Sequence, residues 1–233
     1  MDLSIRPGAV LVVLLVFASL LVFYTGYDKQ TQTLVPEKAL NVLLFKDFFH
    51  SLRELNKILA LGAIGLVSIT FLLGPLSKLW PKRFTRFLSW RKFIGISGFA
   101  AALLHGIYSI IAIYDLSLDK MIFSNPNAFG FVTAVIALAI FFVMTLTSTK
   151  KAMQQMGYEK WKKLQTTGYI ALVLAILHFI ILETKPDKGF DVRPYGILFL
   201  FLALLALTLR MGLLLVKTKP RTGFEEHTGE TPE

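Results

Sequence analysis

The sequence predicts an all-α integral membrane protein, a bundle of six transmembrane helices with both termini on the cytoplasmic side. Three observations lead to this fold class. Of the 233 residues, 55% are hydrophobic, and the mean hydropathy of +0.61 is higher than a soluble domain carries. Six apolar segments have about 20 residues each, which is the length that crosses about 30 Å of hydrocarbon. The basic residues cluster in alternate connections, the pattern that orients membrane helices.

The six predicted spans account for most of the chain. They lie near residues 8–26, 57–77, 93–114, 128–148, 166–183 and 194–216. Each is expected to be a helix, because a lone strand would leave its backbone groups without hydrogen bonds in lipid. The first apolar run is longer than a signal peptide needs, and no small-residue cleavage site follows it, so it counts as a span. Residues 1–219 thus form one predicted transmembrane domain, and the polar stretch 220–233 is predicted to be a disordered cytoplasmic tail.

Lysines and arginines predict the orientation of the bundle. The connection 78–92 contains six basic residues and no acidic residue, and the connection 149–165 contains five basic residues and only Glu159. Together with the two termini, this side carries the whole net charge of +10. Because cytoplasmic connections are enriched in Lys and Arg, this side is expected to face the cytoplasm. The charges also suit anionic membrane lipid or an acidic soluble partner, whereas no motif for nucleic acid accompanies them.

The first connection on the opposite side, about residues 27–56, is long. Its stretch ALNVLLFKDFFHSL combines apolar residues with spaced charges, which is typical of a helix lying in the membrane interface. His50 belongs to this stretch, and we interpret it as a surface histidine rather than a ligand.

The chain contains no cysteine. This composition excludes disulfides, thiolate metal sites, iron–sulfur clusters and covalently attached haem. Imidazole, carboxylate and backbone groups are left as candidate ligands for a metal.

Two histidines lie inside predicted spans. His105 is in the third span and His178 is in the fifth, and both spans run away from the cytoplasm. His105 follows Lys92 by 13 residues and His178 follows Lys163 by 15. At 1.5 Å per residue, both lie about 20 Å above the basic connections. Polar side chains at such depth are costly and mark candidate functional sites. Two imidazoles at matching depth have the arrangement required of the two axial ligands of one haem.

Small residues precede both histidines at the same spacings. Gly95 lies ten residues before His105, Gly168 lies ten before His178, and small residues recur at offsets of seven and three. These offsets keep to one helical face, so each helix carries a small-residue stripe that leads from the cytoplasm to its histidine. A flat cofactor fits against such a stripe. The alternative is close helix packing through small residues, with each histidine a hydrogen-bonded buried imidazole.

Haem suits the candidate ligands better than zinc does. Zinc usually takes three or four protein ligands, and no third histidine or carboxylate is expected at this depth. Two imidazoles complete six-coordinate haem iron, because the porphyrin supplies the other four nitrogens, and such haem is suited to electron transfer. The sequence offers no candidate for serine or cysteine nucleophilic catalysis.

Four stretches of the chain carry a family resemblance. They are LLGPLSKL at 72–79, RKFIGISGFAAALLHGIY at 91–108, TSTKKAMQQMG at 147–157 and WKKLQTTGYIALVLAILHFI at 161–180. In these stretches the chain resembles the ferric-reductase-like transmembrane superfamily, and most closely the MsrQ (YedZ) family of haem-binding proteins. The resemblance implies a multi-pass six-helix protein of a bacterial inner membrane, with b-type haem iron held by His105 and His178. It also implies the electron-transfer subunit of an oxidoreductase system.

One departure from the MsrQ pattern bears on the number of haems. MsrQ-like proteins usually have a further histidine after the Trp-x-x-Leu of the fifth span, where this chain has Gln165. The missing imidazole predicts one haem per chain. The arrangement is then similar to that of the STEAP metalloreductases, which hold one haem with a flavin beneath it.

A flavin, FMN or FAD, is therefore a second candidate cofactor, on the cytoplasmic side of the haem. The small-residue stripes would leave room for its flat ring, and basic residues at their mouth would hold its phosphate. The candidate residues are Arg91, Lys92, Gly95, Lys163, Gln165 and Gly168. The alternative is that these residues only pack helices and orient the protein.

The leading hypothesis for function is a haem conduit that carries electrons across the membrane from a cytoplasmic flavin reductase or a quinol. In MsrQ relatives the acceptor is MsrP, a periplasmic molybdenum enzyme that repairs methionine sulfoxide, and the resemblance implies a periplasmic acceptor of this kind. A direct metalloreductase or oxidant reductase at the outer face is the alternative within this class. The competing class is a non-redox protein, a small transporter or an assembly factor, in which the histidines pack or relay protons.

Overall fold

A computed structural model of the protein describes residues 6–28, 30–185, 189–190, 192 and 194–217. Within these residues, six helices are long and apolar enough to cross a membrane. The predicted fold class, an all-helical multi-pass membrane protein, is therefore confirmed. The predicted tail 220–233, with His227, lies outside the described residues.

The described part of the chain contains ten α-helices. They are α1 (Pro7–Ser19), α2 (Pro36–Leu43), α3 (Phe48–Leu79), α4 (Pro81–Phe84), α5 (Arg91–Tyr108), α6 (Ala128–Leu146), α7 (Lys150–Met156), α8 (Tyr158–Thr166), α9 (Gly168–Glu183) and α10 (Pro194–Lys217). Single π-helical turns extend α1 over Leu20–Tyr24 and α5 over Ser109–Ile113, and another forms Asp119–Phe123. A 3₁₀ segment, Thr85–Trp90, joins α4 to α5.

Two small antiparallel hairpins occur in the connections. The strands are β1 (Tyr27–Asp28) with β2 (Thr33–Leu34), and β3 (Thr184–Lys185) with β4 (Gly189–Phe190). Lys38 donates to Asp28 at 2.7 Å beside the first hairpin, and this hydrogen bond lowers the pKa of the Asp28 carboxylate.

The candidate spans follow the six apolar segments of the sequence in order. They are Pro7–Tyr24, Phe48–Leu79, Pro81–Ile113, Ala128–Leu146, Tyr158–Glu183 and Pro194–Val216. The second span begins at Phe48 rather than near residue 57, and the fifth span begins at Tyr158 rather than near residue 166. Both extensions contain charged residues, such as Glu54 and Lys160, so they lie outside the apolar runs from which the spans are predicted.

Helix α3 is the centre of the bundle. In its most apolar window 72% of the residues are buried inside the protein, against 11–22% in the other five spans. It packs chiefly against α5 and α10, while α6 packs against α9. Glycines allow these close approaches: a Cβ added to Gly98 of α5 would lie 3.0 Å from Val67 of α3, and one added to Gly65 would lie 2.8 Å from Phe199 of α10.

The predicted interfacial helix of the first connection is divided in two. Its first part forms α2, and its last part forms the first turn of α3. The break occurs because Phe45 adopts a left-handed conformation (φ 50°) and Asp47 then caps α3, accepting from the backbone N–H of His50 at 3.0 Å. His50 is exposed at this first turn, as expected of a surface histidine.

Helices α5 and α9 run in the same direction through the bundle. Both begin beside the connections rich in Lys and Arg, which we call the basic end, and both finish at the other side, which we call the opposite end. The first connection, with α2 and the start of α3, lies at the opposite end.

Candidate functional site

The imidazoles of His105 and His178 face each other between α5 and α9. Their ring centroids are 6.4 Å apart and their ring planes differ by 65°. Both side chains are half-buried among the helices. Residues separated by 73 positions in the sequence therefore meet, as their similar distances from the basic connections, 13 and 15 residues, predict.

This separation fits two axial ligands of one metal centre. An imidazole nitrogen binds a metal ion at about 2.0 Å, and the ring centre lies roughly 1 Å behind that nitrogen, so two axial imidazoles have centres about 6 Å apart. The 6.4 Å between the ring centroids agrees with this value. No group of three or more His, Asp or Glu side chains that could hold a metal ion occurs in the described part of the chain. The pair consequently fits a metal that brings its own equatorial ligands, as haem iron does.

The protonation state of His178 follows from its partner. Its Nδ1 lies 2.9 Å from the backbone oxygen of Gly130 on α6. A carbonyl oxygen can only accept, so Nδ1 carries the hydrogen and Nε2 keeps a free lone pair. Metal-binding histidines almost always donate their second ring N–H in this way.

His105 is held by a different kind of partner. Its Nδ1 lies 3.0 Å from the side-chain Oδ1 of Asn56 and 3.2 Å from the backbone oxygen of the same residue. Asn56 belongs to α3 and is only 6% exposed. Both histidines therefore direct Nδ1 at oxygen acceptors on neighbouring helices, which fixes the orientation of each ring.

The small-residue stripes face neighbouring side chains. A Cβ added to Gly95 would lie 3.3 Å from Thr70 Cγ2 on α3. One added to Gly168 would lie 2.6 Å from Met144 Cε on α6 and closer still to the ring of Phe71 on α3. The room that the sequence suggested for a flat ring along these stripes is thus occupied by side chains, and the contacts agree with close helix packing.

Arginine and tyrosine side chains gather between the helices at the basic end. Arg91 donates through Nε to the backbone oxygen of Thr70 at 3.1 Å, and Tyr169 donates to the backbone oxygen of Phe71 at 3.3 Å. The guanidinium of Arg210 on α10 lies 5.3 Å from the centre of the Tyr169 ring. Among the described residues, no carboxylate pairs with either arginine. This arginine–tyrosine cluster (Arg91, Tyr169 and Arg210) is therefore a positively charged, half-buried position.

Three other residues predicted for a flavin site, Lys92, Lys163 and Gln165, are not part of this cluster. Lys92 is half-buried, and Lys163 is exposed. Gln165 donates its amide to the backbone oxygen of Met144 and to Thr147 Oγ1, both at 3.3 Å, and so ties α8 to the end of α6. The position that holds a histidine in the MsrQ pattern thus serves here as a contact between helices.

A cavity of about 490 Å³ lies at the opposite end, beneath the first connection. Buried Thr25, Ser51 and Glu54 line it, and exposed Lys38 and His50 stand at its edge. Glu54 is two residues before the partner of His105 on α3. The cavity is large enough for a small molecule, and apolar atoms form most of its surface.

Sequence reasoning missed Asn56, Tyr169 and Arg210. Asn56 lies just before the predicted second span, which begins near residue 57. Arg210 lies near the end of the sixth predicted span, where a basic residue is expected to orient the helix. The sequence signal for Asn56 is an amide residue at the edge of an apolar run. Nothing in the sequence around Arg210 indicates that it meets Tyr169.

Comparisons with known proteins add three findings. The family described as "Ferric reductase like transmembrane component" matches residues 59–182. The protein-methionine-sulfoxide reductase heme-binding subunits MsrQ of Yersinia pseudotuberculosis serotype O:1b (strain IP 31758) and Yersinia pestis (strain Pestoides F) are each 28% identical over 158 residues. These matches cover 67% of this chain and 73% and 72% of the relatives. The magnetosome protein MamZ of Paramagnetospirillum magneticum (strain ATCC 700264 / AMB-1) is 26% identical over 106 residues, 46% of this chain but only 16% of MamZ.

Proposed function

Because the chain belongs to the ferric reductase like transmembrane component family, we propose that it is a haem-dependent electron-transfer protein of a bacterial cytoplasmic membrane. The observation that carries this proposal is the facing pair His105 and His178, at a ring separation that suits one iron between them. The MsrQ relatives are named heme-binding subunits, which supports the same cofactor. We assign these two histidines as the axial ligands of a single b-type haem.

Hydrogen bonds orient both histidine rings for metal binding. Each ring is turned so that Nδ1 meets an oxygen, and the His178 ring is fixed in the tautomer whose Nε2 lone pair is free. Haem bound there supplies one-electron chemistry. The helices that carry and surround the pair are apolar.

The basic end is the proposed cytoplasmic, electron-receiving side. The orientation rule places its Lys and Arg residues in the cytoplasm. The arginine–tyrosine cluster would hold an anionic group, and the phosphate of a flavin is the candidate that the sequence raised. Side chains pack against both stripes, so the mouth of the bundle is the position that we propose for a flavin. A quinol donor within the membrane is the alternative.

The opposite end is the proposed electron-donating side. A periplasmic acceptor like the methionine sulfoxide reductase in the names of the MsrQ relatives would dock there. The cavity beneath the first connection favours a second candidate, direct reduction of a small oxidant or metal complex, since it offers a small molecule a place at the opposite end of the bundle. The competing non-redox interpretation, a transporter or assembly factor, predicts no bound haem.

We expect purified protein from haem-sufficient cells to contain one haem per chain. A second site on the basic side would need imidazoles near Arg91 and Gln165, and both side chains instead contact helix backbone there. The measurement is a pyridine haemochrome assay with a reducible Soret band and the protein concentration by amino-acid analysis. A stoichiometry near two would contradict the single site, and the absence of a Soret band would reject the proposed function.

The arginine–tyrosine cluster makes the flavin hypothesis testable. We expect Arg91→Gln and Arg210→Gln each to weaken FMN binding by roughly 10- to 150-fold, since a charge-assisted hydrogen bond contributes about 1.5–3 kcal/mol. Arg86→Gln is the matched control, because Arg86 is exposed and stacks on Phe87 at 4.6 Å in the same connection. Fluorescence titration measures the affinity. Equal affinities in all three variants, or haem that a donor reduces quickly without bound flavin, would count against a flavin here.

A further inference from the structure

Three polar residues near the opposite end form a closed ring of hydrogen bonds between α3 and α5. His105 Nδ1 contacts Asn56 Oδ1 at 3.0 Å. Asn56 Nδ2 donates to Ser109 Oγ at 3.2 Å. Ser109 in turn donates to the backbone oxygen of His105 at 2.8 Å. Every polar atom of the Asn56 side chain is therefore engaged, although the residue is almost entirely buried.

This ring decides which way each group points. The hydroxyl hydrogen of Ser109 is committed to the His105 carbonyl, so Ser109 Oγ can only accept from Asn56. The amide nitrogen of Asn56 consequently faces Ser109, and its oxygen faces His105. Because that oxygen only accepts, His105 must carry its hydrogen on Nδ1 and leave Nε2 with a lone pair.

The two histidines therefore have unequal support. The Nδ1 of His178 has the single backbone oxygen of Gly130 at 2.9 Å. The Nδ1 of His105 has two oxygens of Asn56, one of them on a side chain that mutation can replace. A stronger acceptor for the Nδ1 hydrogen makes the other ring nitrogen, Nε2, a better electron donor to a metal.

On the basis of the proposed haem site, we propose that Asn56 is a positioning residue that sets the basicity of His105 and so tunes the reduction potential of the haem. It acts through His105 and does not itself touch the metal. Ser109 supports it by fixing the orientation of the amide. Axial ligation and hydrogen bonding around it are among the means by which a protein adjusts haem potential.

The test is a redox titration of haem in purified variants, with haem content and the low-spin ferric spectrum recorded alongside. Asn56→Leu leaves the Nδ1 hydrogen only the backbone oxygen at 3.2 Å, so the midpoint potential is expected to rise. Asn56→Asp offers a stronger acceptor of the same shape, which favours ferric iron, so the potential is expected to fall. Shifts of opposite sign at one position are the signature of tuning, which a purely structural role would not produce.

Two further variants keep the test decisive. Ser109→Ala frees the Asn56 amide to rotate and is expected to shift the potential in the direction of the Leu variant. Ser68→Ala is the control, since Ser68 is buried on the same helix and donates to the backbone oxygen of Ile64, away from both histidines; its potential should match the wild type. Wild-type potentials in the Asn56 and Ser109 variants that retain haem would overturn this role of Asn56. A wild-type protein without haem would instead overturn the proposed function.

Discussion

Replacing either His105 or His178 by alanine is expected to remove haem from the protein. Each substitution deletes one of the two imidazoles whose ring centroids lie 6.4 Å apart. Loss of an outer hydrogen-bond partner alone typically costs 10–100-fold in metal affinity, so loss of a ligand should lower haem occupancy by at least about tenfold. Soret absorbance per chain and the haemochrome assay measure the occupancy.

The remaining two histidines supply the controls for this experiment. His50 is exposed at the first turn of α3, and His227 lies in the predicted tail; alanine at either is expected to leave the haem spectrum unchanged. Imidazole added to His178→Ala should restore a low-spin spectrum, because a free ring can occupy the vacated position. A normal low-spin spectrum in either His105→Ala or His178→Ala without added imidazole would reject the pairing.

Replacing Gly168 by leucine is expected to destabilise the bundle by about 1–3 kcal/mol, the usual cost of overpacking a core. Even a Cβ at this position would meet Phe71 and Met144 at less than van der Waals distance. The Phe71 ring has little freedom to move, since it is 4% exposed and packs on Tyr169 with centroids 4.7 Å apart. Thermal unfolding followed by size-exclusion chromatography in detergent measures the effect.

Matched controls exist at two other helical glycines. A Cβ at Gly106 would lie 3.7 Å from Leu138, an ordinary contact, and one at Gly212 would have no neighbour within 4 Å among the described residues. Alanine at either position should leave the melting temperature close to that of the wild type. If Gly168→Leu melted at the wild-type temperature and only flavin binding were lost, the stripe would be a cofactor surface rather than a packing surface.

The sequence by itself determined the fold class and the identity of the candidate ligands. Length and apolarity of a segment are local properties, so six spans could be read from the chain alone. The fixed rise of a helix converts residue number into depth, which is why the spacing of His105 and His178 from the basic connections is enough to place them at one level. The absence of cysteine and of a third ligand then directed the chemistry towards haem.

Only the tertiary structure decided which helices are neighbours at the depth of His105 and His178. Depth says nothing about lateral position, because helical rise fixes distance along the axis but not the side of the bundle on which a residue lies. The meeting of Asn56 with His105, and of Tyr169 with Arg210, depends on α3 occupying the centre of the bundle. The same placement brings side chains against the small-residue stripes: a glycine in sequence marks a close approach, and only the tertiary structure shows which neighbour makes it.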